Sequence, residues 1–524
     1  MDRTQGIEAL ETRQQPWDFV IIGGGATGLG CAVEAAARGY DPLLVEMHDF
    51  AKATSSRSTK LVHGGVRYLQ QGNVSLVLEA LDERGILQKN APHLVHPLSF
   101  VIPNYKWWEG PYYSLGMKVY DLLAGRQNFA SSQHLNRQET LDHLPTVEPE
   151  GLRGGVQYYD GQFDDARLAI NMAQTAVEQG GVAINYMKAT DLTKTNGVVD
   201  GVVAQCQETG DEFEIEARSV INATGIFTDT IRQMDDPDAP ATLRPSRGTH
   251  IVLDKSFLPG DSALMIPKTD DGRVLFAIPW NERVVVGTTE AAVDEVSLEP
   301  RPDREELRFL IEHSQRYLAG DPGPEDVLSI FAGIRPLVAP PDSAGGDTSE
   351  ISREHELHIS DSGLVTISGG KWTTYRKMAE DTIDEAVVDA DLEQSPSNTR
   401  DLHLHGWHDH PEQFDDLAAY GSDALPIQDL MEDCPELSEP LDDRLPIRGA
   451  QVVWAARHEM ARTVEDVLSR RTRCLLLDAQ ASIDVAPKVA QLLAEERDLP
   501  PSWAEEQVEA FTEVASNYLM PSSL

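Results

Sequence analysis

A chain of 524 residues with 41% hydrophobic content is long enough for two or three domains with sizeable cores, which excludes fibrous and wholly disordered classes. Its net charge of −42 makes nucleic acid a poor partner, because the overall field repels phosphate backbones. The four cysteines, Cys31, Cys206, Cys434 and Cys474, lie far apart without a CxxC pair, so no iron–sulfur or zinc site is expected and the thiols read as reduced and mostly buried.

The bases are lopsided, with 12 lysines against 32 arginines. A dense acidic surface poor in lysine suits a protein working at high salt, where short-range screening removes the self-repulsion. An acidic cytoplasmic protein from ordinary salt is the plainer alternative. Residues 1–17 are polar and carry Glu8, Glu11 and Arg13, unlike the apolar stretch of a secretory signal. No uncharged apolar run reaches the roughly 18 to 20 residues of a spanning helix. A cytoplasmic location with only peripheral membrane contact is therefore expected.

In chain order, the strand and glycine turn of DFVIIGGGATGLG (18–30) lead into an alanine-rich helix over 31–38 and a second strand, PLLVE (42–46). This is the start of a dinucleotide-binding βαβ unit. Gly23 permits the tight turn, Gly25 lets a pyrophosphate approach the backbone, and Gly28 lets the helix pack closely on its strand. Glu46 ends the second strand about 20 residues on, where a ribose hydroxyl needs an acceptor. The motif alone leaves NAD and FAD open.

A loop and helix follow over 53–90, then a Pro-, Trp- and Tyr-rich stretch over 92–149. Residues 164–177 have helical periodicity and lead into strands near 182–187, 201–207 and 212–216. RSVINATG (218–225) is another apolar strand ending in a small-residue turn, suited to approach a nucleotide a second time. The pattern from 244 to 290 is β-rich and predicts a substrate-domain sheet inserted between pieces of the nucleotide domain. A helix near 303–318, a strand at 330–337 and a last strand into the turn at Gly369 and Gly370 bring the chain back. Beyond 391 the texture changes. Residues 409–443 hold 12 acids and no lysine or arginine, which reads as surface helix and loop, and 448–477 and 482–519 read as amphipathic helices of a separate domain.

The motif ATSSRSTKLVHGGVRYL (53–69), with the opening glycines, resembles the FAD-dependent glycerol-3-phosphate dehydrogenases of the respiratory type. FDDARL (163–168), VINATG (220–225), GTHIV (248–252), AIPW (277–280), VGTT (286–289), GIRPL (333–337) and GGKWTTYRK (369–377) continue it in the family's order, from about residue 18 to 380. The resemblance implies FAD rather than NAD, and an α/β fold with a Rossmann-like FAD-binding domain of the glutathione-reductase and amino-acid-oxidase type. An inserted β-rich substrate domain and a C-terminal α-helical cap complete it. The expected boundaries are 17–90, 150–243 and 355–390 for the discontinuous FAD-binding domain, 91–149 and 244–354 for the substrate domain, and 391–524 for the cap. WAARHE (454–459) and RRTR (470–473) resemble the family's cap, whereas the acidic stretch 409–443 departs from it.

The reaction implied is oxidation of sn-glycerol 3-phosphate to dihydroxyacetone phosphate, with electrons passed to membrane quinone. It needs a phosphate clamp, a proton acceptor and a hydride acceptor, the last being flavin. For the clamp the resemblance assigns Arg67 with Tyr68, Arg335, Arg353 and Lys371, because guanidinium groups grip phosphate oxygens in a bidentate fork. Structural or surface ion pairs are the plainer reading of the arginines. His250 is the first choice of general base, since histidine titrates near neutrality. Alternatively it only positions the flavin ring, and Arg353 or Lys371 polarises the C2 hydroxyl.

His63, in the HGGVR turn, is assigned to flavin rather than substrate, with a histidine that only satisfies the turn as the alternative. The other cofactor positions carried over are Gly23, Gly25, Thr27, Gly28, Glu46, Thr54, Ser55, Ser56, Lys60, Gly225 and Thr373. Small and hydroxyl-bearing side chains reach pyrophosphate or flavin edges without crowding them; residues 54–56 alternatively cap a helix. PNYKWWEGPYYSLGMKVYDLL (103–123) sets adjacent aromatics among lysines, which suits a bilayer interface and corresponds to a membrane-facing part of the family. An aromatic domain lid is the alternative. The partners expected are glycerol 3-phosphate, membrane quinone and a second copy of the chain in a homodimer, with the enzyme peripheral on the inner face of the cell membrane. The competing functions are a glycerol-3-phosphate oxidase delivering electrons to O₂, an amine or amino-acid oxidase of the same fold, and a non-catalytic flavin module.

Overall fold

The strand Trp17–Ile22 occupies the centre of an eight-stranded sheet in the computed structural model, which describes residues 1–66, 69, 73–269, 272–318, 320–338 and 354–522. Its apolar run fits that place, since Phe19, Val20, Ile21 and Ile22 are all buried, as in a parallel strand covered on both faces. Pro42–Val45 and Glu212–Asn222 flank it in parallel, and Val182–Ile184 and Val365–Gly369 extend the parallel core on either side. The helix Ala26–Ala37 begins earlier than its alanine pattern predicts, because the glycine motif itself supplies the first helical turn. Gly23 has φ +111°, and a Cβ there would press on Ala223 O at 2.7 Å; one on Gly28 would overlap Gly23 O. The turn therefore lies against residues 223–225 at the carboxyl ends of neighbouring parallel strands, where open α/β sheets bind ligands.

A second sheet, of ten strands, carries the β-rich pattern. Val95–Asn104 pairs along its length with Gly154–Phe163, and Leu243–Asp254 with Val327–Val338. Gly154–Phe163 falls within the span 150–243 grouped by pattern with the nucleotide sheet, yet it pairs in the second one, because alternation marks a strand without naming its partner. Glu212–Asn222 is one strand where two were expected. Its half-exposed start pairs antiparallel with Val198–Cys206, and its buried end joins Trp17–Ile22, so its hydropathy changes midway. The aromatic stretch over 92–149 contains the helix Glu109–Ala124.

The helices Gly449–His458, Ala479–Glu496 and Pro501–Ala515 surround a core that includes Val452, Val485, Val489, Leu493 and Phe511. Val252, Trp280 and Phe331 of the second sheet belong to the same core. The C-terminal helices thus pack directly on the strands that carry His250 and Arg335. The acidic stretch forms short helical turns and the helix Ala424–Asp433 around Phe414, Leu417, Tyr420 and Ile427.

Candidate active site

A cavity of about 620 Å³ opens where the segment around residues 54–66, strands of the second sheet and the turn at 369–373 meet. His250 enters it from Leu243–Asp254. Its buried ring stacks on Phe331 with centroids 4.6 Å apart, and Nε2 lies 2.9 Å from Thr59 Oγ1. The paired strand makes room through Gly287, where a Cβ would run into the imidazole. Burial, then the nearby charges of Lys60 and Arg335, hold the His250 pKa well below the usual histidine value, so the ring is neutral.

Arg335 donates to Thr288 Oγ1 at 3.2 Å across Gly248, where a Cβ would meet the guanidinium at 2.6 Å. Lys371 precedes the turn Trp372–Thr374, and Thr373 Oγ1 accepts from His63 N at 3.2 Å. His63, His250, Arg335, Lys371, Thr54 and Thr373 are thereby gathered from remote parts of the chain into one cavity wall. Arg67, Tyr68 and Arg353 lie outside the described residues.

The other cofactor positions group at the glycine turn. Ser55 Oγ accepts from Ala26 N at 2.9 Å, and Ser55 O accepts from Trp372 Nε1 at 2.9 Å, which ties the turn to residue 372. The Glu46 carboxylate accepts from Gly24 N at 2.6 Å and His48 N at 2.8 Å; burial raises its pKa against those two bonds. Thr27 lies in the first turn of Ala26–Ala37, beside Gly25 and Gly28. Gly225, with φ +57°, has open space where a Cβ would stand. Residues 54–56 form a short turn with no side-chain cap of its own; the Ser55 hydroxyl instead satisfies the first N–H of the helix Ala26–Ala37, and Thr54 Oγ1 donates to Ile334 O at 2.7 Å. Ser56 is buried and offers its carbonyl to Lys60 Nζ at 2.9 Å. Lys60 itself is fully buried behind the cavity, bonded to Asp165 Oδ2 at 2.7 Å; burial, opposed by Asp165, brings its pKa down to about 8.

These residues fit FAD. The glycines leave bare backbone where a pyrophosphate meets the N-terminus of Ala26–Ala37, Gly225 keeps the adjoining approach open, and the cavity has the volume of a small-molecule site. Arg57, Ser58, Thr59 and Thr288 line the cavity without having been expected there. Arg57 donates to Glu299 Oε1 at 2.6 Å and to Leu298 O. The available signal was a cation and hydroxyls embedded in motifs already assigned to cofactor and substrate.

Residues 18–376 match the family described as FAD dependent oxidoreductase, and residues 364–507 match the C-terminal domain of alpha-glycerophosphate oxidase. The mitochondrial glycerol-3-phosphate dehydrogenase of Homo sapiens is 42% identical over 94% of this chain and 72% of its own. The chain belongs to the FAD-dependent glycerol-3-phosphate dehydrogenases. Among solved structures, the glycerol-3-phosphate dehydrogenase from Bacillus halodurans complexed with FAD is similar at a TM-score of 0.78 and 30% identity, over 100% of this chain and 98% of that one. The L-alpha-glycerophosphate oxidase from Mycoplasma pneumoniae with FAD bound shares the fold at a TM-score of 0.56 and 19% identity, over 74% and 98%. As a glycerol-3-phosphate dehydrogenase of this family, the protein has FAD as its cofactor and the FAD-binding fold with C-terminal helices that its motifs implied.

Proposed function

We propose that the protein oxidises sn-glycerol 3-phosphate at its C2 hydroxyl to dihydroxyacetone phosphate and hands the electrons to membrane quinone. The observation that carries the substrate reading is the placing of Arg335 and Lys371 together on the cavity wall in a chain whose net charge is −42; Arg57 lines the same cavity but is engaged by Glu299. Such a pair of cations suits a phosphate dianion, whose desolvation guanidinium forks offset. Arg67, Tyr68 and Arg353 join the same clamp by their motifs. FAD, when bound, supplies the hydride acceptor for the C2 carbon.

The hydroxyl proton reaches His250 Nε2 through the Thr59 hydroxyl, which lines the cavity and lies 2.9 Å from that nitrogen, accepting from substrate as it donates to the ring. Without a phosphate nearby, imidazolium is disfavoured beside Lys60 and Arg335. The substrate dianion balances those cations, so proton uptake becomes favourable once substrate is in place. Lys371 faces the same space and stabilises the developing alkoxide. His63, Thr54 and Thr373 orient the flavin edge.

Delivery to quinone rests on the helix Glu109–Ala124. Tyr112, Leu115, Val119 and Leu122 are exposed on it and Trp107 just before it, with Trp107 and Leu122 each 79% exposed. A contiguous apolar stripe marks an attachment surface, and aromatics beside Lys106 and Lys118 suit the headgroup level of a bilayer. Among the described residues no helix is long and apolar enough to cross a membrane. High salt would screen the acidic surface from anionic lipid, which links the membrane reading to a saline environment.

Anaerobic addition of glycerol 3-phosphate to the FAD-loaded protein tests the substrate half, with rapid loss of flavin absorbance expected. Unchanged absorbance with glycerol 3-phosphate, together with bleaching by amino acids, would reject it. Stoichiometric peroxide in air without quinone reduction would reject the acceptor half alone.

A further inference from the structure

Ser58 and Thr59 stand on the cavity wall, and the loop that carries them is fixed from behind. Asp165, fully buried at the start of the helix Asp165–Glu178, accepts at Oδ2 from Ser58 N at 2.9 Å, Ser58 Oγ at 2.7 Å and Lys60 Nζ at 2.7 Å. Its Oδ1 accepts from Arg473 at 2.8 Å, and the same guanidinium nitrogen donates to Ser56 O at 2.8 Å. Ser56, Ser58 and Lys60 are therefore clamped on both sides of Thr59, whose hydroxyl meets His250 Nε2.

Arg473 arrives from the C-terminal helices. It is 2% exposed, adopts φ +65° just before the helix Cys474–Leu477, and donates its other terminal nitrogen to Ser469 O at 2.7 Å. Its guanidinium lies 5.6 Å from the ring centre of Trp280. The segment that carries it also buries Arg470, Arg471, Asp466 and Glu459, but the Arg473 guanidinium is directed at the loop and Asp165, with Asp164 3.4 Å away and Ser469 O on its other side. Lysine at this position keeps the charge and one nitrogen for Asp165 and Ser56 O, but loses the second nitrogen that holds Ser469 O at the same time.

We propose that Arg473 is a positioning residue for His250, acting through Asp165 and Thr59, so that the C-terminal helical region completes the active site from outside the cavity. This rests on the reading of His250 as proton acceptor. A phosphate clamp needs no residue from that region; alignment of Thr59 does.

Anaerobic rapid mixing of the FAD-loaded enzyme with glycerol 3-phosphate tests it in Arg473→Met, Arg473→Lys, Thr59→Val and the Arg473→Met/Thr59→Val pair, with FAD content measured on each sample. The limiting bleaching rate is expected to fall about tenfold or more in Arg473→Met. The apparent substrate Kd stays within about twofold, FAD content is unchanged, and Arg473→Lys recovers part of the rate. The paired variant is no slower than its slower parent, since both changes remove one constraint.

A wild-type limiting rate in the Arg473 variants, losses that multiply in the pair, or a loss confined to FAD content would each overturn the inference. If Arg473→Met fails to fold, Arg473→Lys alone and paired with Thr59→Val decides by the same criteria. His250→Asn separates the two levels. A slow His250→Asn with a fast Arg473→Met rejects the positioning role only, whereas a wild-type rate in His250→Asn rejects His250 as acceptor and the positioning role with it.

Discussion

His250 is held by contacts that do different work. Phe331 fixes the plane of the ring, Thr59 fixes its rotation at 2.9 Å, and Gly287 keeps the paired strand clear of it. His250→Asn keeps a polar side chain but no titrating nitrogen, and is expected to slow anaerobic flavin bleaching about a hundredfold at saturating glycerol 3-phosphate. Gly287→Ala reaches the same step by another route, because its methyl group displaces the imidazole; slowed bleaching with retained FAD is the outcome to look for. The positions His250, Arg335 and Lys371 were legible in the sequence because each sits in a motif whose order along the chain is distinctive. Thr59 and Arg57 were not, since a serine- and threonine-rich run has several competing uses. Nor was the burial of Lys60, because its partner Asp165 is 105 residues away and no local pattern joins them.

The helix Glu109–Ala124 has two faces with separate duties. Inward, Tyr120 accepts from Gly64 N at 2.9 Å and donates to Asp160 Oδ2 at 2.8 Å, which fastens the helix to the HGGVR turn. Outward, Leu115 and Leu122 project a turn or two apart into solvent. Replacing both by glutamate leaves the inward bonds intact and destroys the apolar stripe. The double variant is expected to remain in the supernatant with quinone-containing liposomes that sediment the unaltered protein, while glycerol 3-phosphate bleaches its flavin at the unaltered rate. Equal sedimentation of the two proteins would remove this helix as the attachment surface. The aromatic character of the stretch was visible from composition, but its helix was not; Pro111 lies within the first helical turn, where proline is tolerated.

Charge in the molecule is sorted by depth. Arg84, Arg167, Arg470 and Arg471 are buried against carboxylates, with Arg84–Asp160 and Arg167–Glu459 each at 2.7 Å and Asp49 shared by Arg470 at 2.5 Å and Arg471 at 2.7 Å. Burial pushes the Asp49 carboxyl up, but Arg471 and Arg470 together carry it well below the ordinary carboxylate range, so the Asp49 pairs stay ionised across neutral pH. Much of the negative excess lies in surface segments such as 409–443, with 12 acids and no lysine or arginine. The two populations answer salt differently. Exposed like charges repel over about 10 Å at 0.1 M salt and only about 3 Å at 1 M, whereas buried pairs are screened far less. Raising KCl from dilute buffer to molar concentration is therefore expected to lift the thermal midpoint by roughly 5 °C or more, as relief of surface repulsion outweighs any weakening of exposed pairs. Potassium chloride is the informative salt, because sulfate strengthens apolar burial by exclusion and would raise the midpoint of a neutral protein as well. A midpoint indifferent to KCl would mean that the buried pairs and apolar cores dominate stability, and that the −42 charge is no adaptation to salt.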